Sequence, residues 1–128
     1  MPDLTTLGQR MRYFRARSGL TLGELGDAIG VSASQLSLME NGKREPRISL
    51  LTAIAERLGI PVSELLDDTP PTERAALEIE LERAQAGALY AELGLPQLRP
   101  GRSMPDDVLE TLVGLHRELD RRSREKIA

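Results

Sequence analysis

Along the first half of the chain, apolar residues recur at spacings of three and four, and glycine interrupts each run. Leu7, Met11 and Phe14 fall on one stripe and predict a helix over residues 5–17, ended by Ser18-Gly19. Leu25, Ala28 and Ile29 form the inward face of a second helix over residues 22–29, and Leu36 with Met39 that of a third over 33–40. Asn41-Gly42 terminates the third, and Glu45-Pro46 keeps the chain extended. Leu51, Ile54, Ala55 and Leu58 make the stripe of a fourth helix over 49–58, which Gly59 stops. Pro61 then opens a short helical turn over 62–66. These segments predict a compact all-α domain over residues 1–68 with one small core.

The second half follows a different rhythm. Asp67-Asp68-Thr69-Pro70-Pro71 marks a boundary, with Thr69 as the cap of a new helix because proline is accepted in a first turn. That helix runs to about Leu93, with Leu77, Leu81, Ala84, Ala88 and Ala91 as a narrow seam, and Gly94-Leu95-Pro96 ends it. Residues 97–102 form a loop, and Ser103-Met104-Pro105-Asp106 starts a last helix that continues to the final residue. Val108, Leu112, Leu115 and Leu119 repeat at four, three and four, a short heptad seam, with Arg122 and Lys126 on its continuation. Residues 69–128 thus read as two further helices, a linker or dimerisation segment cut from a longer protein.

Two of the early helices start alike. Thr21-Leu22-Gly23-Glu24 is a capping box: the threonine hydroxyl accepts from a first-turn N–H, and the glutamate reaches back to the cap's own N–H. Ser32-Ala33-Ser34-Gln35 repeats the device. Leu20 with Leu25, and Val31 with Leu36, are placed as hydrophobic staples. Gly30 lies between the helices, where a sharp turn calls for positive φ. Two short capped helices around a turn glycine predict a helix-turn-helix.

Composition narrows the class. The aromatic residues are Tyr13, Phe14 and Tyr90, so the core must be built of Leu, Ile, Val, Ala and Met. Cysteine is absent, which rules out disulfides and thiolate metal sites. No N-terminal run resembles a signal peptide and none approaches the ~20 apolar residues of a membrane span. A cytoplasmic protein without a membrane partner is expected. The net charge of −3 does not suggest a nucleic-acid binder. Local clustering matters more, because phosphate contacts act within about a Debye length. Arg10, Arg12, Arg15 and Arg17 lie on the first helix, and Lys43, Arg44 and Arg47 follow the third. The acids gather elsewhere, at Asp67, Asp68, Glu73, Glu78, Glu80 and Glu82.

Catalysis has little to draw on. His116 is the only histidine, so a Ser-His-Asp triad would have to include it, yet it sits beside Arg117 and Glu118 as a surface or seam residue. Asp67-Asp68 and Asp106-Asp107 are more simply helix-start acids than metal ligands. With no phosphate loop either, the sequence reads as a non-enzyme needing no cofactor and no metal.

Two stretches, LGELGDAIGVSASQLSLMENGKREP and LTAIAERLGIPVSELL, closely resemble the Cro/CI-type helix-turn-helix family, also called XRE-type regulators, over residues 4–67. The resemblance implies a five-helix lambda-repressor-like domain that puts its third helix, residues 32–40, in the major groove of double-stranded DNA. It implies base-facing positions at Ala33, Ser34 and Leu38, with Ser37 and Gln35 near and Ser32 at the helix start. Ser34 and Ser37 can bond to several bases, whereas Ala33 and Leu38 offer apolar contact only. Gln35 serves either the capping box or an adenine. Thr21, Asn41, Lys43, Arg44 and Arg47 are the expected phosphate contacts. Arg15 and Glu40 match a buried ion pair of the family, and Gly26 takes a crossing position commonly held by alanine. The last stretch, LPQLRPGRSMPDDVLETLVGLHRELDRRSREKIA, resembles the linker of actinobacterial XRE-type regulators of short-chain fatty-acid metabolism. In that group an acyl-CoA-sensing region follows, so any acyl-CoA-type effector would bind outside this chain.

The functional expectation is a transcriptional regulator that binds palindromic operators as a homodimer. The alternative is an antitoxin that binds DNA through the same domain and sequesters a partner protein with its C-terminal helices, using the acidic surface from Glu73 to Glu82. A third reading, dimerisation with DNA binding lost, sits poorly with intact capping boxes and Lys43-Arg44.

Overall fold

The computed structural model of the protein describes residues 2–94 and 104–127. Its described residues form two units, Met1–Pro71 and Thr72–Ala128. The first unit holds α1 (Leu4–Arg17), α2 (Leu22–Ile29), α3 (Ala33–Glu40), α4 (Ile48–Leu58) and α5 (Val62–Leu65). The second holds α6 (Glu73–Gln85), α7 (Ala88–Leu93) and α8 (Asp106–Ile127).

Local chemistry sets the helix ends of the first unit. Asp3 caps α1 by accepting the Thr6 N–H at 2.8 Å, so α1 begins at Leu4, one residue before the sequence places it. Helices α1 to α4 then close on one device. Gly19, Gly30, Gly42 and Gly59 all have φ between 70° and 76°. In each case the next residue donates to a carbonyl five positions back: Leu20 to Arg15, Val31 to Gly26, Lys43 to Leu38 and Ile60 to Ala55. This bond satisfies a carbonyl that the helix end would otherwise leave open.

The core of the first unit is Leu7, Met11, Leu25, Leu36, Met39, Leu51, Ile54, Ala55 and Leu65, with Phe14, Ile29, Val31 and Leu58 packed around it. Full burial of each large aliphatic side chain stabilises by about 1.5–3 kcal/mol. One expected inward residue, Ala28, is exposed. The buried side of α2 is centred on Leu25 and Gly26, and Ala28 falls on the opposite flank at about 100° per residue.

Two glycines allow the helices to approach. A Cβ on Gly8 would lie 2.4 Å from the Glu40 carbonyl oxygen and 2.6 Å from that of Met39, so α1 and α3 touch backbone to side-chain-free backbone. A Cβ on Gly26 would lie 2.3 Å from the Val31 carbonyl oxygen. The alanine common at that position in the family would therefore require the α2–α3 turn to shift.

The boundary differs from the expected one. Thr69 does not cap a helix: its N–H and hydroxyl both donate to Asp67 Oδ1, at 2.8 and 2.6 Å. Its carbonyl accepts from Arg10 Nη1 at 3.0 Å, which keeps this segment with the first unit. Thr72, beyond the two prolines, caps α6 instead by accepting the Ala75 N–H at 3.0 Å.

In the second unit the single long helix of the sequence reading is two. It breaks at Ala86, and Gly87 becomes the N-cap of α7 with extended φ and ψ of −76° and 158°. Among the described residues, three helices rather than two therefore follow the first domain. Gly94 closes α7 in the left-handed conformation; Leu95, Pro96, the 97–102 loop and Ser103 lie outside the described residues. The seam is only partly as expected: Leu81 is buried and Leu77 and Ala84 half-buried, whereas Ala91 is exposed, and Ala75 and Ile79 are buried instead.

The core of this unit is Leu81, Leu109 and Val113, with Leu77, Met104 and Leu112 packed on it. The heptad seam of α8 does not face α6. Leu109 and Val113 do, and Val108, Leu115 and Leu119 stay exposed. The cause is that α8 carries two apolar stripes roughly 100° apart, since Leu109 and Val113 also follow one another at four.

Candidate nucleic-acid interface

The geometry of α2, its turn and α3 is built from short-range bonds. Thr21 Oγ1 accepts the Glu24 N–H at 3.1 Å, and Glu24 Oε1 accepts the Thr21 N–H at 3.2 Å. Ser32 Oγ accepts the Gln35 N–H at 3.1 Å, and Gln35 Oε1 accepts the Ser32 N–H at 3.4 Å. Gly30 between them has φ 76° and ψ 33°. Both capping boxes are thus complete, and both helix starts are fixed independently of any ligand.

The third helix is divided lengthwise. Leu36, Met39 and Glu40 are buried. Ala33, Ser34 and Leu38 are exposed and Ser37 half-buried; with Asn41 they span an arc of roughly 140° at about 100° per residue. Gln35 lies outside that arc, and its oxygen is already held in the cap. Of its two alternatives, the capping role is the one the geometry supplies.

Asn41 completes the face. Its Nδ2 donates to the Ser37 carbonyl at 2.8 Å and to Ser37 Oγ at 3.3 Å. With an oxygen lone pair of Ser37 so engaged, its hydroxyl hydrogen can still be given outward. Helix α3 therefore offers two hydroxyls, two apolar side chains and an amide, and no charge on its open face.

The charge comes from the loop that follows. Gly42 turns with φ 71°, and Lys43, Arg44 and Arg47 are all exposed. Pro46, in the same loop, is buried. Arg47 occupies the N-cap of α4 without a side-chain capping bond, so its guanidinium is not committed to the helix start. Beside it Ile48 is 80 % exposed. The sequence reading missed this residue: three positions before Leu51 it falls at the edge of the α4 stripe, so periodicity alone gave no sign of its exposure.

Helix α1 contributes less free charge than its four arginines suggest. Arg15 binds Glu40 through Nε at 2.6 Å and Nη2 at 2.9 Å, and donates from Nη1 to the Leu20 carbonyl at 2.7 Å. The hydrogen bond to Glu40 raises the Arg15 pKa above its ordinary value, against the opposing effect of burial. Arg10 is also buried: it reaches the Glu64 carbonyl, the Glu64 carboxylate and the Thr69 carbonyl, and lies 5.6 Å from the Phe14 ring centre. Arg17 Nη1 donates to the Tyr13 hydroxyl at 2.9 Å. Arg10 and Arg15 thus leave the expected basic cluster because each satisfies its guanidinium inside the domain.

The remaining sequence candidates fall elsewhere. Asp67 is committed to Thr69, whose hydroxyl and amide hold the carboxyl below its usual range. Asp106 pairs with Arg74 at 2.5 Å. No group of three or more metal-ligating side chains occurs among the described residues. The acidic face of α6 is partly neutralised, with Glu78 bound to Arg74 at 3.1 Å and Glu80 to Arg117 at 2.7 Å. No described helix is long and apolar enough to cross a membrane.

A doubly capped pair of helices, presenting an open polar face bordered by three cationic loop residues, defines a helix-turn-helix domain. The chain belongs to the helix-turn-helix family of Cro/CI (XRE) type: the family model matches residues 11–65, and curated regulators align well beyond the motif. It is similar to the transcriptional regulator ClgR of Mycobacterium tuberculosis, 40% identical over 78 residues, which cover 61% of this chain and 68% of that protein. It is also similar to the HTH-type transcriptional regulator SinR of Bacillus subtilis, 33% identical over 95 residues, 73% of this chain and 86% of SinR. The crystal structure of the clp gene regulator ClgR from Corynebacterium glutamicum superposes with a TM-score of 0.52 at 35% identity, covering 76% of this chain and 98% of that one. The protein is a DNA-binding transcriptional regulator of helix-turn-helix type, not an enzyme.

Proposed function

We propose that the protein binds a palindromic operator as a homodimer in the cytoplasm, each copy setting α3 in the major groove of one half-site. The observation that carries this reading is the open face of α3: Ala33, Ser34, Ser37, Leu38 and Asn41 present side chains that no neighbouring helix covers. In a major groove, the hydroxyls of Ser34 and Ser37 meet base edges, and Ala33 and Leu38 meet thymine methyl groups. Thr21, Ser32, Asn41, Lys43, Arg44 and Arg47 meet phosphates at either end of the helix, which fixes its register. With few hydrogen-bonding side chains on the face, the choice of operator draws on DNA shape as well as base contact.

The segment from residue 69 onward serves dimerisation in this reading, so that two α3 helices lie about one helical turn, ~34 Å, apart. The antitoxin alternative would use the acidic surface of α6, where Glu78 and Glu80 pair with Arg74 and Arg117 and Glu73 and Glu82 are exposed. No residue of this chain is assigned to an acyl-CoA-type effector.

Selection of bound sequences from random DNA, read with the mass of the free protein in solution, tests the proposal. The expected result is a pseudo-palindrome with half-sites about 10 bp apart, bound by a dimer. A single asymmetric half-site bound by a monomer would overturn it.

A further inference from the structure

Ile48 opens α4 and is 80% exposed, the most exposed large apolar residue among the described ones. A single exposed apolar side chain is ordinary on a protein surface; the surroundings of this one are not. Lys43, Arg44 and Arg47 stand exposed in the loop just before it, with Glu45 as the one acid of that loop. Arg47 makes no capping bond, and the first turn of α4 carries no acid. The positive end of the helix dipole therefore adds to these charges instead of being offset.

Helix geometry ties Ile48 to the same loop. In an α-helix the Cα–Cβ bond tilts toward the N-terminus, so a side chain at the first position reaches back past the helix start. Ile48 thus leans over the segment that carries the cations.

We propose that Ile48 packs on the deoxyribose rings of the operator backbone, beside the phosphates that the loop cations hold. The inference rests on the reading of α3 in the major groove and adds a contact which that reading does not assign. Each DNA strand alternates phosphates with sugars, and the C–H edges of the sugars are its outward apolar surface. Cations at positions 43, 44 and 47 brought to phosphates carry the adjoining isoleucine to a sugar between them. A second copy of the chain fits this spot poorly, because a two-fold contact through Ile48 would set the three cations against the same three. DNA joins the apolar contact to the opposite charge.

Deoxyribose is common to every sequence. The contact therefore adds affinity without adding choice, and it releases no counterions. A base contact would change sequence preference, and a phosphate contact would change salt dependence.

The test titrates wild type, Ile48→Ala and Ile48→Leu over a salt series, against the selected operator and against random duplex of equal length. Ile48 takes no part in the core, so both variants are expected to keep the wild-type Tm and mass. Ile48→Ala is expected to weaken binding to both duplexes about tenfold per copy, with the line of log K against log salt displaced in parallel. Ile48→Leu should bind as wild type does.

Wild-type affinity of Ile48→Ala for the operator would overturn the inference and leave Ile48 to a protein partner. A shallower salt slope would overturn it by making the residue a support for Arg47. A loss confined to the operator would overturn it in favour of a base contact. Normal operator binding by folded Ser34→Glu would overturn the reading of α3, and this inference with it. Loss of binding by Ser34→Glu beside an unaffected Ile48→Ala overturns the Ile48 contact alone.

Discussion

Arg15 and Glu40 tie the first helix to the end of α3 through two bonds, at 2.6 and 2.9 Å, with side chains only 7% and 4% exposed. The pair sits one residue before Asn41, so it fixes the C-terminal end of α3 just where the open face ends. Its worth lies in what happens when one partner is lost. A buried charge without its mate is costly, whereas replacing both charges by apolar groups of similar volume is often neutral or better. Glu40→Gln or Arg15→Met should therefore destabilise the domain by about 3–5 kcal/mol. The double variant Arg15→Met with Glu40→Met should recover most of that loss. Urea unfolding of the three variants measures it; additive losses in the double variant would contradict the account.

Gly8 sets the distance between the same two helices. A methyl group there would stand 2.4 Å from the Glu40 carbonyl oxygen, and backbone cannot step aside as a side chain could. Gly8→Ala gains helix propensity of about 1 kcal/mol, and the clash is expected to outweigh it by a further 1–3 kcal/mol or so. A lowered Tm checks this. An unchanged or raised Tm would mean that α1 and α3 can separate freely.

Lys43 follows the αL turn at Gly42 and is exposed. As a phosphate contact, it should weaken binding to all sequences alike when truncated. Lys43→Ala is expected to reduce the slope of log K against log salt by about 1, with the preferred operator unchanged. A changed sequence preference with an unchanged salt slope would make Lys43 a base reader instead.

At the far end of the chain, Glu118 accepts from Arg121 at 2.5 Å and from Arg122 at 3.0 Å. These bonds pull its pKa down from 4.5 to about 2. The folded state thus favours the charged form. The stabilisation is present above the ordinary carboxylate range and is lost as pH falls from about 4.5 through about 2. Helical content followed by circular dichroism should fall less over this window in Glu118→Gln than in wild type. Equal falls would show that the arginine contacts do not hold in solution.

The parts of the fold that local bonds decide are the parts legible in the sequence. Both capping boxes connect residues three apart, and the glycine stops of α1 to α4 are closed by bonds between residues five apart, so nothing distant is needed to foresee them. The inward stripes of α1, α3 and α4 follow for the same reason. What the sequence hid depends on partners far along the chain. Arg10 reads as surface charge until Glu64 and Thr69, more than fifty residues away, are brought to it. Gly8 reads as a weak spot in a helix until the carbonyls of α3 are seen against it. Thr69 and Thr72 are equally good caps on paper; Asp67 engages the first, and the helix starts at the second. The two apolar stripes of α8 cannot be ranked by periodicity, because only the position of α6 decides which is buried. In the interface, the exposed face of α3 follows from its caps and core, whereas Gln35 had two roles open to it until its oxygen was found turned back to Ser32.

The claim on which the rest depends is that the open face of α3 enters the DNA groove. Ser34 lies near the middle of that face, is exposed, and takes no part in the core or the caps. A carboxylate placed there would be carried against base edges and between phosphates, at no cost to the fold. Titration of the selected operator with wild type and with Ser34→Glu, each checked for helical content and Tm, measures the point directly. The account predicts loss of specific binding by a variant that remains folded. Binding by folded Ser34→Glu with wild-type affinity would contradict it.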